Sequence, residues 1–345
     1  ISKKYETYLL QGTKAVKLTL GEWKEVEIED EEDGNEGGDG EDEGPMMEYR
    51  VVPIDDPVEM PAAQIVEDNP VHKYEIIESP VKKIRVGYLM YNSFTAGTKA
   101  EPEKYNNELR SVSQKFKEAG VQAVILDLRY NEGGSMDCVQ LLGTILTSAD
   151  RLGEPMAYLE YNDKNTDKDA TILFGTDREI NLNLHSLIAI TSGTTMGAPE
   201  MLIRSLFLED TYPIATVGSS TKGQNVATEQ FINEEFLWSV NPVVCTVYNS
   251  QHDTYGAISP ATDLKVSETT IAGSTNYSEF LPFGTFDKDG KSERLLKIAI
   301  GVLDGTYPPK DDETPEESTT QTRFKVEKSV SSPASRRFSS KGLRL

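Results

Sequence analysis

Three short segments contain the residues whose types and spacing can support chemistry. They are Leu126–Ser135 ("LDLRYNEGGS"), Thr191–Phe207 ("TSGTTMGAPEMLIRSLF") and Thr216–Val226 ("TVGSSTKGQNV"). In each, polar residues follow an apolar stretch that predicts a strand, and open α/β sheets place their sites beyond the carboxyl ends of strands. The chemistry to consider is therefore a nucleophile, a site that holds an oxyanion and a group that moves a proton.

The first segment contains a double glycine. Gly133 and Gly134 let the backbone turn with its N–H groups exposed, and such a turn can hold an oxyanion. An ordinary turn before a helix has the same sequence, so the residues alone leave both interpretations open.

The second segment has the pattern strand, tight turn, helix, which proteins often use to present a nucleophile. The residue at the start of the helix is Gly197, and the nearby hydroxyls belong to Ser192, Thr194 and Thr195. Pro199 suits the first turn of a helix, so backbone donors and the positive end of the helix dipole are expected to face position 197. A simple capped helix is the alternative.

The third segment places Lys222 in a small polar turn. A single lysine in such a turn is usually a solvated surface charge, and only a partner makes it a candidate base.

Strand and helix patterns alternate around these segments and predict an α/β fold with crossover helices. "VQAVILDL" is almost wholly apolar, as expected of a strand in a sheet covered on both faces. "EEFLWSVNPVVCTVYNS" resembles a β-hairpin. The predicted helices are "EKYNNELRSVSQKFKEAG", "SMDCVQLLGTIL", "APEMLIRSLFLED" and "SERLLKIAIGVLDG".

Composition divides the chain into five parts. Residues 1–29 predict a half-buried strand pair, 30–46 an acidic Gly-rich loop, 47–80 a β-rich connection, 81–305 the α/β domain, and 306–345 a flexible basic tail. A calcium loop is the alternative for 30–46, although its spacing fits no EF-hand. From Arg323 onward, seven Lys or Arg stand against one Glu.

The bulk composition excludes several classes of function. The net charge of the 345 residues is −22, and twelve Asp or Glu lie between Glu25 and Glu43, so nucleic-acid binding is disfavoured. Cys138 and Cys245 are expected to be buried free thiols, and three scattered histidines give no metal signature. We expect neither cofactor nor membrane span, and we interpret the chain as a fragment because it opens within a pattern.

Taken together, "DLRYNEGG" (Asp127–Gly134), "TSGTTMGAPE" (Thr191–Glu200) and "GSSTKG" (Gly218–Gly223) resemble the C-terminal processing (tail-specific) serine peptidase family. The resemblance covers about Val81–Gly305 and implies a crotonase/ClpP-like mixed sheet with crossover helices. Residues 1–29 resemble the last strands of the PDZ domain that precedes this catalytic domain in the family.

The resemblance implies a Ser–Lys dyad, in which a buried neutral lysine takes the proton of a serine that attacks a peptide carbonyl. It assigns the base to Lys222, the oxyanion donors to Ala198 and one of Gly133 or Gly134, and an anchoring role to Glu200. The serine position, 25 residues before Lys222, is Gly197 in this chain. The family's second serine is replaced by Pro199.

Three hypotheses follow. The first is a catalytically silent family member that binds extended peptides or protein C-termini in the periplasm or cell envelope. The second is an active peptidase, through Thr194 or Thr195 or because the native residue 197 is serine. The third is a non-enzymatic α/β interaction module, unrelated to the family, whose acidic loop and basic tail recruit partners.

Overall fold

The computed structural model describes residues 14–19, 21–27, 47–53, 57–62, 67–236, 238–266, 293–307 and 342–345. The chain divides into two compact units. The described residues up to Glu67 belong to the first unit, and those from Asp68 onward, including Gly342–Leu345, belong to the second.

The described residues of the first unit form two antiparallel strand pairs. Strand β1 (Val16–Leu18) pairs with β4 (Val58–Met60), and β2 (Gly21–Glu27) pairs with β3 (Met47–Pro53). The predicted pairing within residues 1–29 is therefore wrong, because each strand takes its partner from the segment after the acidic tract. That tract, residues 30–46, lies outside the described residues, and the PDZ-like interpretation stays a prediction.

The described residues of the second unit form two larger sheets, a two-stranded sheet and four α-helices. Its strands are β5 (Val71–Glu78), β6 (Arg85–Tyr91), β7 (Ala123–Asp127), β8 (Gly133–Ser135), β9 (Pro155–Tyr161), β10 (Ala170–Leu173), β11 (Leu187–Thr191), β12 (Ile214–Gly218), β13 (Val226–Thr228), β14 (Phe231–Asn233), β15 (Trp238–Val240), β16 (Val243–Tyr248) and β17 (Gly342–Arg344). Its helices are α1 (Lys104–Glu118), α2 (Met136–Leu146), α3 (Ala198–Leu206) and α4 (Arg294–Asp304).

The central sheet has the strand order β12-β11-β7-β6-β5. Its strands run parallel from β6 to β12, and β5 is antiparallel to β6. The predicted mixed sheet with crossover helices is confirmed, since α1 lies between β6 and β7 in the chain and α3 between β11 and β12. Strand β5 begins this sheet before the predicted boundary at residue 81.

Side chains of the central sheet alternate between two apolar cores, as the period of a strand requires. In β6, Leu89 and Tyr91 join the larger core, whereas Tyr88 and Met90 join the smaller one. The smaller core is covered by apolar residues of α4, and the larger core contains those of α1, α2 and α3. A strand such as β7 is therefore buried on both faces, which explains its almost wholly apolar sequence.

The second sheet has the order β10-β9-β16-β13-β17-β8 and places β17 between β13 and β8. The prediction of a flexible tail over 306–345 fails for Gly342–Leu345, because Leu343 is only 1% exposed and belongs to the larger core. The predicted hairpin is also wrong. Strand β15 pairs with β14, while β16 pairs with β13 and β9.

Candidate functional site

Three loops meet beyond the carboxyl ends of neighbouring parallel strands. Strands β7, β11 and β12 are adjacent and end at Asp127, Thr191 and Gly218. The loops that follow them contain the three segments singled out from the sequence, so the topology brings those segments to one edge of the central sheet.

A buried charge cluster supports the first loop. The guanidinium of Arg129, 0% exposed, donates to both carboxylate oxygens of Asp127 and makes a two-point contact with Glu293 at 3.0 and 2.9 Å. Glu293 also accepts the N–H groups of Leu295 and Leu296 at the start of α4. One arginine thus ties the end of β7 to a helix remote in the chain.

The protonation of this cluster follows from its contacts. Burial alone would raise the pKa of Glu293, but the hydrogen bonds and charge of Arg129, with the two helix N–H groups, lower that pKa overall. Burial raises the pKa of Tyr88, so its hydroxyl stays protonated and donates to Asp127 at 2.7 Å. Arg129 and Glu293 therefore form a charged, hydrogen-bonded pair, whereas burial raises the pKa of Asp127 despite the neighbouring Arg129. This nearly solvent-free cluster suits a structural support.

Hydroxyl groups of the second loop are hydrogen-bonded to the first loop. The Thr195 hydroxyl, fully buried, donates to the carbonyl of Leu128 at 2.9 Å, and the Thr194 hydroxyl donates to that of Arg129 at 2.8 Å. The Ser192 hydroxyl donates to the same Arg129 carbonyl. These three hydroxyls hold the two loops together.

Gly197 lies at the start of α3, as the sequence predicts. Its backbone has φ 71° and ψ −103°, a conformation that L side chains rarely adopt, and the residue is buried. The bend directs the chain from β11 into the first turn of α3, which opens with Ala198 and Pro199. The position thus has the geometry of a sharp strand-to-helix turn without a side chain at its apex.

The carboxylate of Glu200 holds this turn against the third loop. One oxygen accepts the N–H of Gly197 at 2.8 Å and that of Gln224 at 2.9 Å. The other accepts the N–H of Gly223 at 2.5 Å and the hydroxyl of Thr221. Glu200 is 0% exposed. The buried carboxylate therefore fixes the Lys222-containing segment beside Gly197.

The structure brings the backbone of Lys222 to the site but leaves its side chain exposed. Its N–H donates to the carbonyl of Thr195 at 3.1 Å, two residues before Gly197. The family resemblance implied a buried lysine at this position. That expectation is not met in this structure, because residue 222 is exposed, while its neighbours Thr221 and Gly223 bond the buried Glu200.

The three residues expected to supply oxyanion donors differ in their surroundings. The N–H of Gly133 donates to the side chain of Asn131 at 3.0 Å and is therefore already used within the turn. Gly134 is aligned with Leu343 of β17, and Ala198 is the first residue of α3. The oxyanion roles of Gly134 and Ala198 stay predictions.

A strand that the sequence did not predict lies against this site. A Cβ atom built on Gly197 would be 2.5 Å from the backbone nitrogen of Leu343 and 2.6 Å from the carbonyl carbon of Gly342. Strand β17 therefore occupies the space into which a side chain at position 197 would project. Only the isolated apolar pair in "GLRL" could have signalled it.

The two cysteines and the potential metal ligands of the described residues form no second reactive site. Cys138 and Cys245 are buried free thiols, as predicted, and burial raises their pKa values to about 12 and about 11, which keeps them protonated. Among the described residues, no cluster of His, Cys, Asp or Glu is arranged to hold a metal ion. Within the same residues, no helix has the length and apolar character needed to span a bilayer.

Comparison with known proteins identifies the family. The sequence profile described as peptidase family S41 matches residues 85–241. A crystal structure of a Bacteroides fragilis protein assigned to the S41 proteases is similar, with 34% identity and a TM-score of 0.66, over 88% of this chain and 70% of that one. The chain belongs to peptidase family S41.

Two further structures similar to this S41 chain are more distant. The photosystem II D1 C-terminal processing protease has 16% identity and a TM-score of 0.44, over 61% of this chain and 52% of that one. A lipoprotein from Streptococcus agalactiae has 19% identity and a TM-score of 0.40, over 55% of this chain and 63% of that one. A search of curated protein sequences found no match.

The role of Glu200 in this S41 domain can be tested by Glu200→Gln. An amide has one acceptor oxygen where the carboxylate has two, so some of the four donors around Glu200 lose their partner. We expect the free energy of unfolding to fall by about 1–3 kcal/mol, the usual cost of an unsatisfied buried group. Urea denaturation measures this, with the exposed Glu209→Gln as the matched control. Equal stability of the two variants would contradict the anchoring role.

Proposed function

We propose that this chain is a catalytically silent member of peptidase family S41 that binds extended peptides or protein C-termini. The observation that carries the proposal is Gly197. The family resemblance assigns the nucleophile to position 197, this residue has no side chain, and its N–H is held by the buried carboxylate of Glu200. Loss of a covalent nucleophile typically removes about six orders of magnitude of rate.

The buried network around Glu200 supports a retained binding function. Gly197, Gly223 and Gln224 all donate backbone N–H groups to one carboxylate, so the turn and the neighbouring loop keep a fixed geometry. A sheet with such a fixed backbone can take an extended peptide by β-augmentation, which needs no catalysis.

Substitute nucleophiles are disfavoured by the hydrogen bonds of the second loop. The hydroxyls of Thr194 and Thr195 donate to main-chain carbonyls, and the buried Thr195 hydroxyl has no access to a substrate. The third hypothesis, an interaction module unrelated to the peptidase family, is excluded because the chain belongs to family S41. We also propose a location in the periplasm or cell envelope, on the basis of family resemblance.

A cleavage assay with fluorescent casein and short labelled peptides tests the proposal. We expect no turnover above buffer by the chain as given, and no difference between it and Lys222→Ala. Turnover that Lys222→Ala abolishes would refute catalytic silence and support the active alternative.

A further inference from the structure

Strand β17 fills a slot one strand wide between β8 and β13. It runs parallel to both neighbours, with Leu343 aligned to Gly134 on one side and to Ala227 on the other. The Gly342 N–H donates to the main-chain carbonyl of Glu132 at 2.6 Å, and the Leu345 N–H donates to that of Thr228 at 3.1 Å. Main-chain pairing on two sides is the mode by which a sheet accepts an extended peptide.

The register of β17 sets one peptide bond against the nucleophile position. The three atoms nearest to a Cβ built on Gly197 are the nitrogen of Leu343, the carbonyl carbon of Gly342 and the Cα of Gly342, at 2.5, 2.6 and 2.6 Å. A side chain at position 197 would thus point at the Gly342–Leu343 peptide bond. This bond occupies the place where the family chemistry would require the scissile bond of a substrate.

The slot selects side chains at successive positions. A Cβ on Gly133 or on Gly197 would overlap the backbone of Gly342, and a Cβ on Gly342 would overlap the side chain of Gln224. Gly342 also has φ 92°. Glycine is therefore favoured at this position of the guest strand by its backbone conformation, since the end of the Gln224 side chain can move aside.

The residues after the glycine differ sharply in burial. Leu343 is 1% exposed, Arg344 is half-buried, and Leu345 is 42% exposed. Recognition by main-chain pairing with one buried apolar side chain fits a strand of the pattern glycine, apolar residue, then a residue that reaches solvent.

We propose that this slot is a peptide-binding site for an extended Gly-apolar strand, and that Gly342–Leu345 is its resident, substrate-like ligand, which must leave before another peptide enters. The inference rests on the proposed function, since it names the ligand class and the regulation of the same site. Occupancy by the chain's own segment lowers the apparent affinity for a second peptide in proportion to the fraction of open slots.

The test uses the full chain and a fluorescein-labelled peptide Ser-Ser-Lys-Gly-Leu-Arg-Leu, the sequence of residues 339–345. Leu343→Asp should expel the resident strand because it would bury an unpaired charge. By fluorescence anisotropy, we expect Leu343→Asp to bind the peptide at least about tenfold more tightly than the native chain. The matched control is Leu345→Asp, whose side chain is exposed and whose affinity should equal that of the native chain.

A second variant covers the case in which Leu343→Asp does not fold. Gly342→Val weakens the strand without a buried charge, because a β-branched residue is strained at the φ of 92° that Gly342 adopts, and it should show the same gain. A peptide with Asp in place of its apolar leucine should bind neither variant. Equal affinity of the native chain and the folded variants would overturn the proposal. Loss of folding in both variants would also overturn it, because β17 would then be a structural strand.

These outcomes separate the inference from the proposed function. Equal peptide binding by all variants would leave peptide binding intact and refute only the resident ligand. Cleavage of the labelled peptide by the native chain, detected by mass spectrometry, would refute catalytic silence. The effect of the substitutions at positions 342 and 343 on peptide affinity would still be measured by anisotropy.

Discussion

Peptide hydrolysis should appear when Gly197→Ser and Pro199→Ser are introduced into a chain that also carries Leu343→Asp. The third change is needed because a Cβ at position 197 and the backbone of β17 would overlap. A serine nucleophile raises the hydrolysis rate of a serine peptidase by roughly 10⁶-fold. We expect the new serine to raise the rate at least about 10³-fold over that of the Leu343→Asp chain. Initial rates with a fluorogenic peptide measure this gain.

Gly193→Ser is the matched control for the new hydroxyl. Gly193 lies in the same loop and is exposed, and a Cβ placed on it would have no atom within 4 Å, so serine fits there without meeting the slot. It should give no turnover.

Lys222→Ala should abolish the recovered activity if the exposed lysine acts as the base, and activity that survives it would contradict the Ser–Lys assignment. The serine should also cost about 1–3 kcal/mol of stability, because position 197 has a backbone conformation that favours glycine.

Arg129→Met should lower the free energy of unfolding by about 3–5 kcal/mol, because it leaves the carboxylates of Asp127 and Glu293 buried without their cation. All three side chains are at least nine-tenths buried, so water cannot replace the lost contacts. Urea unfolding followed by circular dichroism measures the change.

Arg110→Met is the matched control for this prediction. Arg110 contacts Glu103 at 3.8 Å, and both side chains are exposed. Such pairs contribute about 0–1 kcal/mol, so the control should unfold close to the native midpoint. Equal decreases in the free energy of unfolding for the two variants would show that the buried cluster stabilises the fold no more than an exposed ion pair does.

The central sheet could be predicted because local pattern and tertiary environment agree there. The apolar run of β7 matches its burial on both faces, and α4 ends at Gly305, whose left-handed conformation (φ 71°) stops the helix. The site edge was predictable for the same reason. Adjacent parallel strands bring their following loops together once the strands are known.

Long-range pairing could not be predicted in this way. Strand β16 has the sequence of a hairpin arm, but its two edges pair with β13 and with the remote β9 instead of the adjacent β15. The segment "GLRL" is too short, and its residue types too unspecific, to predict β17 as an interior strand of the second sheet. The exposure of Lys222 depends on how Glu200 holds the neighbouring backbone, which no pattern in the sequence encodes.

The walls of the slot also discriminate between the two ends of a peptide. Both β8 and β13 run in the same direction as β17, and the hydrogen bonds of parallel strands are slanted and evenly spaced, unlike those of antiparallel strands. A guest entering backwards would meet the wrong spacing of donors and acceptors on both sides at once. The proposed site is therefore expected to accept a peptide in one chain direction only, and a reversed-sequence peptide of identical composition should not bind.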